Sequence, residues 1–248
     1  MQSPPIEKSL LTSTVSVWKE ALALWFSVVQ RGWIWLLFTG ILSSFLDFFL
    51  EYVKRVDERL ALVLGIFGFV FGLFIAAFST IIISQIVKDI KNKRESPLML
   101  ALSDNLSPVF IETTRAVVPI LLKFLLLVVP GIIEMVRLWF VAYIAQFDDD
   151  YKAGKVDALQ RSRELVQGRF WEVTWILLLT TALSMVPALW RGGFSLGSQP
   201  VFYGLALSVC VFAEAYAETV VYLKYERLDL ELRIRNAHPI SLPGTPQS

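Results

Sequence analysis

Apolar residues fall in long blocks along this chain, and charged residues gather between the blocks rather than within them. From Thr12 to Gln30, Val15, Trp18, Leu22, Trp25 and Val29 recur at i, i+3/i+4 spacing with Lys19 and Glu20 opposite, which predicts an amphipathic helix. It leads into an apolar block at 33–50, either as a separate interfacial helix or as the first turns of one long helix. A second block, 60–87, carries no charge and exceeds the roughly 20 residues a bilayer needs. Ser96-Pro97 reads as the start of a short helix ending near Leu106. The central run then extends from about Pro108 to Phe147. Between Arg115 and Gln146 a single helix would be about 48 Å long, too long for one crossing. The run therefore reads as two spans, 108–130 and 131–147, hinged at Pro130-Gly131. After a polar loop, Ala158, Leu159, Ser162, Leu165 and Val166 share one face of a helix predicted over 155–167, with Asp157 and Arg161 as an i, i+4 pair on its wet side. Two further spans follow at 171–190 and 201–223, then a Pro-rich tail over 237–248 that reads as disordered.

The predicted fold class is all-α: one membrane domain over 1–236, with six transmembrane helices and interfacial amphipathic helices. Composition agrees, since 55% hydrophobic residues, 18% charged residues and a mean hydropathy of +0.59 are too apolar for a soluble fold of this size. Charge distribution supplies the orientation. Six spans place seventeen Lys and Arg on one side and only Lys54, Arg55, Arg59 and Arg191 on the other, with Lys123 and Arg137 inside the membrane. A single central crossing would put the two basic loops around it on opposite sides and abolish the asymmetry. The expected location is a bacterial inner membrane, multi-pass, with both termini cytoplasmic. No removable signal peptide is visible at the start.

Five ionisable residues fall at membrane depth, where each costs about 2.5 to 3.5 kcal/mol on insertion scales and so needs a reason. Lys123, Glu134 and Arg137 lie on the two arms of the central hairpin, and Glu214 and Glu218 share one face of the last span. They read either as a structural charge network or as a polar site for a lipid headgroup, an ion or a proton. The spacing predicts that all five meet in one network. Gly65, Gly68 and Gly72 share a face of the second span, with Gly68 and Gly72 forming a GxxxG pair that predicts close helix packing. One Cys, Cys210, and one His, His238 in the tail, leave no zinc site and no Ser-His or Cys-His hydrolase to expect. Neither a phosphate-binding glycine loop nor a nucleic-acid patch occurs. No cofactor, metal or catalytic activity is therefore expected. The expected partners are the lipid bilayer and a membrane-protein partner or a second copy of the chain.

EALALWFSVVQRGWIW before the first span echoes DALQRSRELVQGRFWEV before the fifth, which points to units of one surface helix plus two spans. At VVPGIIEMVRLWFVAY, ALQRSRELVQGRFW and VVYLKYERLDLELR, the chain resembles a broad family of prokaryotic integral membrane proteins of the YciC type. It is also similar there to the membrane domain fused to some glycerophosphodiester phosphodiesterases. The resemblance covers mainly residues 120–235 and implies a six-helix bacterial membrane protein without implying an activity. The reading that follows is a non-catalytic scaffold or accessory subunit. Its alternative is a small transporter or lipid-handling protein that uses the buried charges. A solvent-connected cavity reaching Glu214 would favour the alternative.

Overall fold

Long apolar blocks with few helix breakers become long helices. The computed structural model describes residues 6–56, 58–194 and 199–237. The tail from His238 onward lies outside these residues, and so does the tip of the loop before Pro200. Helix α1 is Ile6–Val56, 51 residues without a break, so the amphipathic start and the first span are one helix. Helix α2 is Glu58–Asn92, α8 is Phe170–Gly192 and α9 is Pro200–Ala237. Among the described residues no strand occurs, and five segments are long and apolar enough to cross a membrane: Thr14–Leu46, Leu64–Asn92, Val128–Phe147, Phe170–Gly192 and Pro200–Asn236. The architecture is that of an all-α polytopic membrane protein. The remaining predicted span, 108–130, lies mostly in the helix Leu98–Leu126, which is not among the five, and runs over its end into the next helix.

Helix α1 runs antiparallel to α9. Glu20 meets Arg227 at 2.6 Å near one end, and Gly40 meets Val211 and Leu207 further along. Against α2, Trp35 and Phe38 pack on Phe78, and Gly32 faces Ile86. The small residues that allow close approach are in α1. A Cβ added at Gly32 would lie 3.0 Å from Ile86 Cδ1, and one at Gly40 would lie 3.0 Å from Val211 Cγ2. This corrects the expectation for α2, where Gly68 is buried but Gly65 and Gly72 have nothing within 4 Å of an added Cβ. Their face borders open space instead of a partner helix.

The central run forms α3, Leu98–Leu126, α4, Val128–Leu138, and α5, Val141–Phe147. The hinge is three residues earlier than Pro130-Gly131 suggests, at Leu127, whose backbone is extended with φ −159° and ψ 139°. Pro130 occupies the first turn of α4, where its missing N–H removes no helical bond. Gly131 is needed because a Cβ there would lie 2.5–2.8 Å from three ring atoms of Phe124 on the facing arm. A second break at Trp139-Phe140 separates α4 from α5, so the stretch 131–147 is not one rod. Helix α3 also runs past Leu106, through Pro108 and Pro119. Ser96 does not cap it. The Ser96 N–H and hydroxyl both donate to Asp89 at 3.0 Å, which ties the α2–α3 loop to the end of α2.

The polar loop holds α6, Asp149–Lys152, and α7, Ala158–Val166. Asp157 caps α7 by accepting from the N–H groups of Leu159 and Gln160 at 3.0 and 3.1 Å. Ala158, Ser162, Leu165 and Val166 are buried as the stripe predicts. Arg161 is not on the wet side. It is buried and donates to Asp148 at 3.2 Å and to Asp229 at 3.3 Å. Asp157 is taken by its capping role and by Arg115 at 2.8 Å. Two buried or mostly buried carboxylates on different elements, of which Asp229 is shared with Arg233 at 2.6 Å, attract the guanidinium more strongly than one solvated neighbour on its own helix.

Candidate functional site: a polar cavity among the long helices

Small and hydroxylated residues recur at helical spacing on the inward faces of the four long helices. Thr39, Gly40 and Ser43 come from α1, Gly72, Ala76 and Ser79 from α2, Thr180, Thr181 and Ser184 from α8, and Cys210, Glu214, Ala217 and Glu218 from α9. Side chains this short cannot fill the space between four helices, and a cavity of about 440 Å³ remains. Arg191 lines it from the end of α8, and Trp139, from the α4–α5 break, forms part of its wall. The hydroxyls of Thr39 and Thr180 are satisfied within their own helices, by Leu36 at 3.0 Å and Ile176 at 2.9 Å. They present lone pairs to the cavity without demanding a partner there.

The two α9 carboxylates differ. Glu218 accepts from the Tyr143 hydroxyl at 2.5 Å and from the Thr80 hydroxyl at 3.2 Å, so α5 and α2 both hold it. Glu214, one turn nearer the start of α9, is exposed and lines the cavity without a hydrogen bond from the described residues. The cavity therefore carries one held carboxylate, one carboxylate open to a guest and one guanidinium. Beneath it, Gln146 donates to the Ile81 carbonyl at 3.1 Å and accepts from Ser84 at 2.8 Å, closing the α2–α5 contact.

The predicted five-residue network is two separate sets. Glu134 is buried and holds Lys123 at 2.5 Å and Arg163, from α7, at 2.6 Å. Arg137 joins neither set: its side chain is exposed in a groove with Gln160, Glu164 and Phe170, and its carbonyl accepts from Ser162 at 2.8 Å. Glu214 and Glu218 belong to the cavity, and Tyr143 takes the role expected of a hairpin cation. Sequence reasoning also missed the buried pair of Lys224 and Glu172 at 2.6 Å, because both lie where spans were expected to meet water. Arg191 was assigned to an outer loop. The Thr180/Ser184 and Glu214/Glu218 i, i+4 pairs are the signals that could have located the cavity.

Among the described residues no group of three or more His, Cys, Asp or Glu side chains could hold a metal ion. The geometry defines a helical membrane protein with an open, largely apolar cavity among its long helices, into which a few polar groups converge. Comparison with protein-family models, curated proteins and solved structures finds no match to this chain.

Proposed function

We propose that this protein handles a polar or amphipathic molecule within the membrane, as a small transporter or lipid-handling protein, and that the four-helix cavity is where the molecule sits. The observation that carries this reading is the cavity of about 440 Å³ reaching Glu214. It falls within the roughly 300–1,000 Å³ of ordinary ligand sites, and it is lined by apolar surface with a few convergent polar groups. Ionisable residues at such depth mark substrate and ion pathways when they face a cavity. The Tyr143–Glu218–Thr80 contact and Trp139 close one end, so exchange with that side requires the α5 segment to move. A location in a bacterial inner membrane, with the α7 side cytoplasmic, belongs to the same proposal and is supported by the concentration of Lys and Arg on that side. The scaffold reading retains one supporting observation: the Lys224–Glu172 and Glu134-centred sets are closed ion pairs with no role in the cavity.

Gly72 gives the test. It lines the cavity, and an added Cβ meets nothing within 4 Å, so the backbone there has room for a side chain and Gly72→Leu occupies part of the chamber. Native mass spectrometry of the protein purified in mild detergent should show a retained lipid or solute that Gly72→Leu and Glu214→Gln each diminish at unchanged thermal midpoint. A wild-type protein that carries nothing, or a bound molecule indifferent to both substitutions, would refute the proposal and favour the scaffold.

A further inference from the structure

The charge cluster on the central hairpin limits how far its tip can travel. Glu134 on α4 is bridged to Lys123 on α3 and to Arg163 on α7. Helix α7 is itself fixed at one end of the bundle, through Arg161 to Asp229 of α9, while the neighbouring Arg169 reaches Glu231. That is the end where α8 begins, so Glu134 lies there as well. From Glu134 to the hinge at Leu127 is seven residues, about 10 Å at 1.5 Å per residue, against a hydrocarbon core about 30 Å thick. The two arms add a second observation: Asp104, Glu112, Arg115 and Lys123 are spread along α3, and Val128–Phe147, apolar enough to cross, is broken at Trp139-Phe140 into helices of 11 and 7 residues, about 16 and 10 Å long, each short of the hydrocarbon core. Yet the tip is strongly apolar and unpacked, with Leu125 83% and Leu126 79% exposed.

We propose that the α3–α4 hairpin is a re-entrant wedge, which buries its tip, residues 121–132, in the acyl chains of the leaflet on the α7 side and does not cross the bilayer. The break at Leu127 suits this position, because its N–H donates to the Lys123 carbonyl at 2.9 Å and the Gly131 N–H donates to the Leu127 carbonyl at 3.3 Å. Two backbone donors at the turn are thus satisfied without water, and Pro130 has no N–H to satisfy. Around the base of the wedge, Lys123 and Arg163 keep 41% and 44% of their side chains exposed and Arg137 is exposed, a cationic collar facing the level of lipid headgroups. That collar complements anionic lipid. The Lys/Arg asymmetry is kept, since a re-entrant hairpin returns to its own side just as two crossings do.

The test uses the full chain with Cys210→Ser and single cysteines at Leu126→Cys, Ser103→Cys on the exposed face of α3, and Gly192→Cys, where an added Cβ meets nothing within 4 Å. In sealed cells and everted vesicles, an impermeant maleimide should label Ser103→Cys from one face only and Gly192→Cys from the opposite face only. Leu126→Cys should be labelled from neither face, become reactive in detergent, and carry a fluorophore that nitroxides on lipid acyl chains quench. Leu126 is so exposed that its truncation removes no packing. Labelling of Leu126→Cys from the Gly192 face would show a crossing hairpin and overturn the proposal. Labelling from the Ser103 face would place the tip in water and do the same. Protection lost when the protein is diluted into excess lipid would mean that a second copy covers the tip, which also overturns it.

Discussion

Gly131→Ala offers a direct measure of how tightly the two hairpin arms close. The new Cβ would sit 2.5, 2.7 and 2.8 Å from Cγ, Cδ2 and Cδ1 of Phe124. Regaining an ordinary 3.4 Å contact requires a shift of about 0.6 to 0.9 Å. Rotation of the ring about its own axis does not help, because Cγ, on that axis, is the nearest atom. Either the Phe124 side chain must change its first torsion or the arms must part, and overpacking of this kind costs about 1–3 kcal/mol. For a chain of this length that is a fall of roughly 2–12 °C in thermal midpoint. The assay is thermal unfolding of the protein in lipid nanodiscs, run for Gly131→Ala, Phe124→Leu and the double variant. Because the smaller Leu branches leave room for the methyl, the second substitution should cost little once Phe124 is gone. Equal cost for Gly131→Ala in both backgrounds, or no cost in the first, would refute the close approach and with it the reason given for a glycine after Pro130.

Arg161→Ala should be among the most damaging single substitutions, at about 3–5 kcal/mol, because it leaves the fully buried Asp148 without a cation, although Asp229 keeps Arg233; a lysine should not rescue it, since one ammonium cannot reproduce the two-sided guanidinium contact, and thermal midpoints of both variants check this. Glu134→Gln leaves Lys123 and Arg163 facing each other, and because both are partly exposed the expected loss is only about 1–2 kcal/mol; a less than additive loss in Glu134→Gln with Arg163→Gln would confirm the contact. Asp157 is pushed upward by partial burial, but the hydrogen bonds from Arg115 and from the N–H groups of Gln160 and Leu159, with the Arg115 charge, outweigh this and hold its carboxyl below its usual range. A depressed folded value means the contribution is complete above the unfolded value of about 3.9 and is lost as pH falls below it. A nitroxide at Gln160→Cys should therefore become mobile as pH drops below about 4, and should be mobile at every pH when Asp157→Ala is added, which removes the capping oxygen altogether.

Elements whose fate depends on local pattern were legible in the sequence. The span at 171–190 matches α8 to within two residues at each end, and the α7 stripe is buried where the periodicity puts it. What the pattern could not give is which of two neighbours a polar side chain chooses. Arg161 has Asp157 one turn away, but Asp148 and Asp229 arrive from other elements, and no one-dimensional signal announces them. Pro130-Gly131 is a sound turn signal, yet proline in a first helical turn looks the same in sequence as proline at a break, and only the extended backbone at Leu127 tells them apart. For the candidate site, the residue types were visible but not their grouping. Glu214 and Glu218 were singled out by charge alone, whereas the serines, threonines and glycine that make room around them carry no distinguishing mark until four helices are set side by side. Arg137 misses the expected network because the chain breaks at Leu127 and again at Trp139-Phe140, which turns its side chain into a groove with Gln160, Glu164 and Phe170.

The salt bridge between Glu20 and Arg227 also bears on the order in which the molecule can be assembled. Its two residues are 207 positions apart, and the α1–α9 contact it anchors runs on through Trp18, Trp25 and Gly40. During synthesis at about 5–20 residues per second, α1 waits roughly 10 to 40 seconds after Glu20 is made before its partner exists. Through that interval the bulky side chains that will face α9 must be held by lipid, by α2 or by the insertion machinery. Closure of the α1–α9 contact, and with it the cavity that both helices line, waits until α9 has been made.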